Sequence, residues 1–320
     1  MAKRSRPRRG SMQYWPRKRA SRIYTRTRHW PSSKDTKPLG FAAWKAGMTH
    51  IQYIDNNAKS PTYGKLLSKA VTVLDAPSLF VVALRFYRKT HDGLATAGDV
   101  WHDKLPKDLA IERKAMPGKN REAPAHYTGV HLLVATQPAK SGMRKIKPDV
   151  FEIALGGEPA KQAEYGMSLL GKEIAAKDIF RPGEFVDVAA VTKGHGFTGV
   201  VKRFGVRIQT RKDKQMHRHV GSIGSTTPRK VDWRVPQAGQ YGFFTRTEFS
   251  KRIVLIDDDA KKIIPAGGFL GYGMPQSFML IEGSVPGHVK RLVRLRKAMR
   301  TTVFEPVEVK GISLESKQGA

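Results

Sequence analysis

The sequence predicts a mixed β and α+β protein, with an antiparallel β-barrel, an α+β insertion and long basic extensions. Short apolar or alternating runs, rich in β-branched residues and separated by Gly, Pro, Asn or Asp, are typical of antiparallel strands. These runs cover residues 41–54, 70–75, 79–87, 127–135, 149–155, 185–192, 199–208, 252–257 and 278–282. Helical patterns are few and fall only at 103–114 and 162–176, in the middle third. The strands of the outer thirds are therefore expected to form the barrel.

Charge is a further observation, and it indicates the kind of partner. The 320 residues include 58 Lys and Arg against 27 Asp and Glu, which gives a net charge of +31 and an isoelectric point near 10.4. The excess is +17 in residues 1–90, +1 in 91–180 and +13 in 181–320. Self-repulsion on this scale opposes compaction, so a polyanionic partner is expected. Nucleic acid is the first choice, and an anionic membrane surface is the second.

These patterns divide the chain into five predicted parts. They are a basic N-terminal extension (1–39), a barrel body (40–90 and 181–290), an α+β insertion (91–180), an internal basic loop within the barrel (206–236) and a C-terminal extension (291–320). In the body, FAAWKAGMTHIQYID is predicted to form two strands joined through Lys45–Gly47. RIVLIDDDAKKII is predicted to form a hairpin with Asp257–Asp259 in its turn. The three aspartates could bind Mg²⁺, but a charged turn is the simpler interpretation.

The N-terminal extension combines cations with aromatic rings. Twelve Lys or Arg residues precede the first acid, Asp35, and no helical apolar period is present. Such a segment cannot bury enough surface to order itself alone. The interleaved rings, which are Tyr14, Trp15, Tyr24 and Trp30, can stack on bases while arginine binds phosphate. A localisation signal or a solubilising tail is the alternative interpretation.

The stretch GHGFTG, residues 194–199, matches the glycine pattern of dinucleotide-binding loops. Such a loop needs a following helix and an acidic residue about 20 positions further on. Residues 200–206 instead predict a strand, and 220–222 contain no carboxylate. We therefore predict a tight glycine turn between two barrel strands. The side chains beside this turn suit an approaching phosphate backbone: Lys193, His195, Lys202 and Arg203.

Two further basic runs follow along the chain. Residues 202–234 hold ten Lys or Arg, two acids and two His without a clear period, and long unstructured loops in folded domains are often functional. His217 and His219 form a His-x-His pair, which we interpret as RNA contacts because carboxylates are scarce nearby. Residues 283–300 contain no acid at all.

Several classes of protein are excluded or disfavoured. The chain has no Cys, which excludes disulfides, thiolate zinc sites and Cys nucleophiles. No apolar run is long enough for a membrane-spanning helix, and the basic N-terminus lacks the apolar stretch of a secretory signal, so an intracellular protein is expected. No metalloprotease, nucleophile-elbow or P-loop motif occurs, so neither an enzyme nor a cofactor is predicted.

Six stretches together resemble the universal large-subunit ribosomal protein number three family, in its archaeal and eukaryotic form. They are spread over almost the whole chain, in the family's order: GFAAWKAGMTHI (40–51), SPTYGKLLSKAVTVLDAP (60–77), IFRPGEFVDVAAVTKGHGFTGVVKRFG (179–205), VGSIGSTTPRKV (220–231), PQAGQYGFFTRTEFSKRI (236–253) and GSVPGHVKRLVRLR (283–296). The resemblance implies a barrel of the translation-factor type with an α+β insertion. It also implies a cytoplasmic ribosomal protein that binds large-subunit rRNA, nucleates assembly and has other large-subunit proteins as neighbours.

The resemblance further implies that the N-terminal extension and the internal loop reach toward the peptidyl-transferase centre, with the loop tip at Ser225–Arg229. Thr226 stands where eukaryotic and some archaeal relatives carry Trp, so a stacking anchor is replaced by a hydroxyl. Trp233 either stacks on a base or packs where the loop returns. The predicted rRNA-binding residues are Arg4, Arg6, Arg8, Arg9, Tyr14, Trp15, Arg17, Lys18, Arg19, Lys193, His195, Lys202, Arg203, Arg211, Lys212, His217, Arg218, Thr226, Thr227, Arg229, Lys230, Trp233, Gln237, Gln240, Arg246, Arg291 and Arg294.

Two other functions stay open on the residues alone. In the first, VKRLVRLRKAMR forms a basic amphipathic helix on anionic lipid, although the N-terminal extension has no apolar face and is interrupted by prolines. In the second, the chain processes RNA as an enzyme, which would need an acid–base pair that the sequence does not reveal.

Overall fold

The structure, a computed structural model, describes residues 10–103, 122–213, 216–301 and 303–315. The chain divides into two compact units. We call Met1–Arg22 with Val191–Thr245 the loop unit, and Ile23–Ala190 with Arg246–Ala320 the sheet unit. Two groups of predictions lie outside the described residues. They are the predicted helix at 103–114, except for Asp103, and the predicted contacts Arg4, Arg6, Arg8 and Arg9.

The described part of the chain is rich in β-sheet with few helices, as the sequence predicts. Its strands are β1 (Gly40–Ile54), β2 (Leu66–Asp75), β3 (Leu79–Thr90), β4 (Gly93–Trp101), β5 (Gly129–Ala135), β6 (Val150–Ala154), β7 (Glu173–Ile174), β8 (Phe185–Val191), β9 (Gly194–Thr198), β10 (Gly239–Gly242), β11 (Thr245–Asp257), β12 (Phe278–Glu282), β13 (Leu292–Lys297) and β14 (Glu308–Ile312). Its α-helices are α1 (Pro159–Leu169), α2 (Ala176–Ile179) and α3 (Val200–Phe204). Short 3₁₀ turns lie at Met12–Tyr14, Pro138–Lys140 and Ala260–Lys262.

The larger sheet of the sheet unit has seven strands in the order β13-β8-β11-β12-β2-β1-β14. Strand β13 also pairs with β1, from Gly40 opposite Arg296 to Trp44 opposite Leu292. The second half of β2 is buried on both faces. This explains why Val71, Val73 and Leu74 are apolar on both sides of the strand, with Thr72 the one polar residue among them. Strand β1 pairs antiparallel with β2, β13 and β14, strand β12 with β2 and β11, and strand β13 with β8.

Strand β1 corrects one expectation, because FAAWKAGMTHIQYID forms a single strand with a bulge at Lys45–Gly47. Lys45 pairs with Leu74 and Gly47 with Val73, so Ala46 is the extra residue. A side chain at Gly47 would come within 2.6 Å of the Phe269 ring. Glycine therefore permits a close contact here, and no turn is made.

The smaller sheet has the order β4-β3-β5-β6, with β7 paired to β3. Strand β3 contributes Leu79–Thr90, so this sheet begins before residue 91. The predicted helix at 162–176 is placed too late, because α1 starts at Pro159 and β7 follows from Glu173. One large hydrophobic core serves both sheets and includes Phe41, Leu84, Ile153 and Phe278, and a small separate cluster contains Phe80, Val82 and Ala135.

The predicted hairpin after β11 is also wrong. Asp257 ends the strand, and Asp259 accepts a hydrogen bond from the Lys261 amide to start a 3₁₀ turn. The chain returns to pair with β11 only at β12. The Lys262 ammonium, 2.6 Å from Asp257, lowers the pKa of that carboxyl to about 2. The three aspartates thus cap a turn and pair with lysine.

The loop unit differs most from the prediction. The glycine stretch forms β9, which pairs antiparallel with β10, and residues 200–204 form a helix where a strand was expected. The β-branched Val200 and Val201 favour a strand locally, but burial of Val200 and Phe204 on one helical side decides the outcome. Gly205 ends the helix in the left-handed conformation, at φ 66°. Because the glycines lie in a strand and the helix has five residues, the dinucleotide arrangement is not formed.

After α3, the described residues from Gly205 to Ala238 contain no helix or strand, as predicted for a long internal loop. In the sheet unit, by contrast, β13 (LVRLRK) is a strand between β1 and β8, which corrects the amphipathic-helix hypothesis for this stretch. Four of its six residues are buried.

Candidate nucleic-acid interface

The loop unit is organised around the ring of Phe204, the last residue of α3. Trp15 lies with its ring centroid 6.0 Å from that of Phe204, and the Arg17 guanidinium lies 4.1 Å from the same centroid. Gly10 fits against the ring because a side chain there would come within 2.6 Å of it. The described end of the N-terminal extension is therefore held on α3 by aromatic and cation–π contacts.

Trp233 joins the same cluster from the far end of the internal loop. Its ring lies edge-on to Trp15, at 5.1 Å and 70°, and 59% of the residue stays exposed. Of the two roles left open for Trp233, packing is thus observed, against Trp15 of the extension. The exposed face leaves stacking on a base possible in addition.

Two predicted contacts, Arg17 and Arg203, bond to main-chain carbonyls. Arg17 donates to the Arg203 carbonyl at 2.7 Å. Arg203 donates to the carbonyls of Gln237 (2.8 Å) and Gln240 (3.0 Å), and burial lowers the pKa of its guanidinium. Arginine has five donors in a rigid fork, so it can join these segments together. We assign both residues to holding the interface in shape.

The β9–β10 pair presents aromatic rings that sequence reasoning missed. His195 stacks on Tyr241 at 5.1 Å and 24°, and Phe197 is 81% exposed. The register of β9 against β10 shifts between His195 and Phe197, where Gly196 has φ 65°, so the strand has a bulge here. The prediction of a glycine turn concealed these exposed rings.

The remaining predicted residues of the loop unit are mostly accessible. Exposed side chains are those of Tyr14, Lys18, Arg19, Lys193, His195, Lys202, Arg211, Lys212, His217, Arg218, Thr226, Thr227, Arg229, Lys230, Trp233 and Gln237, while Gln240 is half-buried. Within the described residues, none of the lysines and arginines in that set forms an ion pair. Their charges are thus not neutralised by carboxylates of the described chain.

Three predicted contacts belong to the sheet unit and have different surroundings. Arg291 and Arg294 are buried, and Arg246 is half-buried. Arg291 donates to the Ile23 carbonyl (3.4 Å), whereas Arg294 donates to the carbonyls of Thr25 (3.2 Å) and Glu152. Burial lowers the pKa of the Arg294 guanidinium to about 10. Spacing in the sequence cannot distinguish such internal arginines from exposed ones.

Over the described ranges, no group of three or more His, Asp or Glu side chains is placed to hold a metal ion. Over the same residues, no helix combines the length and the apolar character that crossing a membrane requires.

The interface therefore combines exposed cations, stacked aromatic rings and a long irregular loop, which is the chemistry of an RNA-binding protein. A family model described as Ribosomal protein L3 matches residues 1–116 and 119–319. The large ribosomal subunit protein uL3 of Methanopyrus kandleri is 45% identical over 98% of this chain and 92% of its own length. Those of Methanothermobacter thermautotrophicus (43%, 100% of both chains) and Archaeoglobus fulgidus (42%, 98% of both) are similarly close.

The chain belongs to the ribosomal protein L3 family. This confirms the resemblance read from the six sequence stretches, and the described relatives are structural proteins of the large ribosomal subunit. Neither the membrane-binding nor the enzymatic alternative gains support from them.

Proposed function

We propose that this protein is a structural constituent of the large subunit of the cytoplasmic ribosome, where it binds large-subunit rRNA and nucleates assembly. Family membership gives the ribosomal context. The observation that carries rRNA binding is the set of exposed cations of the loop unit that form no ion pair with a described residue, in the same unit as the aromatic cluster of Trp15, Phe204 and Trp233. Neighbouring large-subunit proteins are further partners, and no small-molecule substrate, cofactor or membrane enters the proposal.

The internal loop is proposed to enter rRNA and extend toward the peptidyl-transferase centre, with Ser225–Arg229 at its tip. Support comes from the exposure of every residue from Ser222 to Arg234. The Ser225 hydroxyl donates to the Thr227 carbonyl at 2.6 Å, which gives the tip a local turn without an aromatic ring. Thr226 would then offer a hydroxyl to phosphate or ribose, where relatives with Trp would stack.

The fold is proposed to be a translation-factor-type barrel with the five-part division predicted from the sequence. The pairing of β13 with both β1 and β8 supports closure of the larger sheet, because it links strands from distant places in the sheet order. Closure would leave that sheet without edges, apart from the added strand β14.

Salt dependence tests rRNA binding. Residues 1–22 contain nine Lys and Arg, and affinity for a large-subunit rRNA fragment should fall steeply with salt. Each lost phosphate contact reduces the log–log slope by about 0.7–0.9, so deleting 1–22 should shallow it by several units. The control replaces two exposed cations of the sheet unit that form no ion pair with a described residue, Arg88→Ala with Lys261→Ala, and should change the slope far less. A slope unchanged by the deletion would contradict the role of the extension.

A further inference from the structure

A second cationic site lies in the sheet unit, in a recess between the basic run at 283–300 and a loop from the nearly neutral middle third of the chain. Two loops line it: residues 141–149, which precede β6, and 283–291, which precede β13. The charged side chains at its wall are Arg144, Lys145, Lys290 and Arg291, against one carboxylate, Asp149. Trp44 and Leu292, both buried, line it as well, together with Ile23, Met143 and His288.

The carboxylate is already engaged, because Asp149 pairs with the Lys145 ammonium. Arg144 and Lys290 are both exposed, and neither forms an ion pair with a described residue. Two full positive charges thus face the solvent at the rim of one recess, over an apolar floor. Two neighbouring cations of this kind attract an anionic group such as phosphate.

Hydrogen bonds fix the second loop in place. The buried Lys45 ammonium donates to the carbonyls of Val285 (2.7 Å) and Gly287 (3.3 Å). The Lys45 main chain pairs with the loop in both directions, to the Lys290 amide (2.8 Å) and the Arg291 carbonyl (3.0 Å). The loop is therefore pre-organised around the bulge of β1, which lowers the entropy lost when a ligand binds.

Lys290 holds an uncommon backbone conformation, with φ 70°. A residue with a side chain is disfavoured in the left-handed region, where glycine is at ease. Glycine would adopt this conformation with less backbone strain than lysine does. Lys290 lies two residues before β13 begins. Strain of this kind is found at binding sites, where the surrounding structure supports it.

We propose that this recess is a preformed site for the phosphate backbone of an rRNA segment, with Arg144 and Lys290 as its principal contacts. It is a site in addition to the loop-unit interface, and it rests on the proposed rRNA-binding function. Arg144 lies in the nearly neutral middle third of the sequence, so the charge pattern along the chain does not reveal it.

The test uses the full-length protein and a large-subunit rRNA fragment. The recess variant combines Arg144→Ala with Lys290→Gly, because glycine removes the charge and also relieves the left-handed backbone. Its melting temperature should not fall below that of wild type. The control is again Arg88→Ala with Lys261→Ala, which removes the same two charge types outside the recess.

We expect the recess variant to bind the fragment at least about fivefold more weakly and to lower the salt slope by about 1.8, for two duplex phosphates. Affinity and slope equal to those of the control would overturn the inference while leaving the proposed function intact. A wild-type protein that does not bind the fragment would overturn the proposed function and the inference together.

Proximity can be measured independently because the chain has no cysteine. Ser284→Cys adds one thiol at an exposed position in the second loop and leaves every charge in place. A tethered iron chelate should cleave rRNA strands in the complex, and absence of cleavage would count against the site. Binding to phosphatidylserine vesicles and to the rRNA fragment is compared for the wild type and the recess variant. If the variant loses only vesicle binding, the partner is lipid and the proposal is wrong.

Discussion

Glu152 shows at the scale of one residue how this basic protein uses its few acids. Its carboxylate accepts hydrogen bonds from Arg85 (2.6 Å) and the Tyr87 hydroxyl (2.8 Å), with His131 Nδ1 at 3.8 Å. Arg85 also bonds Asp99 through both ends of its guanidinium, at 2.8 and 2.7 Å. His131, Tyr87 and Arg85 lower the pKa of Glu152 to about 2, and the charged form is thereby stabilised in the fold.

Acid should therefore destabilise the sheet unit. The folded pKa of about 2 lies below the ordinary value of 4.5, so the unfolded chain takes up the proton first as the pH falls. The contribution of Glu152 is complete above about pH 5 and is lost between pH 5 and 2. Urea unfolding across that range should show this decline.

Glu152→Gln should flatten the decline and lower the free energy of unfolding at pH 7 by about 1–2 kcal/mol, allowing for partial exposure of the carboxylate. Glu164→Gln, on the exposed side of α1, is the matched control and should leave both unchanged. An equally steep acid limb in Glu152→Gln would mean that other groups cause it.

At the scale of elements, β13 is the strand that fastens the N-terminal segment to the sheet unit. Arg296 donates to the His29 carbonyl at 2.6 Å, in addition to the bonds from Arg291 to Ile23 and from Arg294 to Thr25. The three arginines hold an extended backbone that has no strand partner of its own. The basic run at 283–300 thus divides its charges between the interior and the rim of the recess.

Replacing Arg294 by methionine should release this segment. The carbonyls of Thr25 and Glu152 would lose a buried, charged donor, at a cost of about 3 kcal/mol. Trypsin should then cleave faster after the exposed Arg26 and Arg28.

Arg300→Met is the matched control because Arg300 is exposed and its guanidinium lies over the Phe249 ring, at 4.0 Å. It should leave the cleavage rate at the wild-type value. Equal cleavage of Arg294→Met and Arg300→Met would show that β13 does not secure residues 23–29.

The elements also show what sequence could predict. Strand β12 is found where predicted, at Phe278–Glu282, and β3, β5, β6 and β8 agree within a few residues because apolar runs fix them. Residues 200–204 form a helix where a strand was predicted, and residues 292–297, considered only as a helix on a membrane, form a strand, since each pattern suits either structure. Burial of Phe204 decides the first, and pairing with β1 and β8 decides the second.

Local sequence patterns also limit what can be predicted of the candidate site. Exposed basic residues of the loop unit follow from charge and composition, which sequence reports directly. The internal roles of Arg203, Arg291 and Arg294, and the recess residue Arg144, depend on main-chain carbonyls and loops that are distant in sequence. No local pattern contains that information.

At the scale of the whole molecule, charge and folding are divided between different parts of the chain. The sheet unit has the hydrophobic core and most of the ion pairs among the described residues, so it can fold by burying apolar surface. The loop unit exposes most of its predicted RNA-binding cations, and RNA would neutralise their charge. A net charge of +31 is then compatible with a stable protein in its complex.

Retention on the large subunit tests this account most directly. Ribosomes from cells that express the tagged protein are washed in about 1 M salt, where electrostatic screening reaches only about 3 Å. The wild-type protein should stay with the large subunit through the wash, because rRNA that encloses its loop and extension, as proposed, would hold it in place. Release of the protein into the supernatant, with the large subunit otherwise intact, would contradict its assignment as a structural constituent.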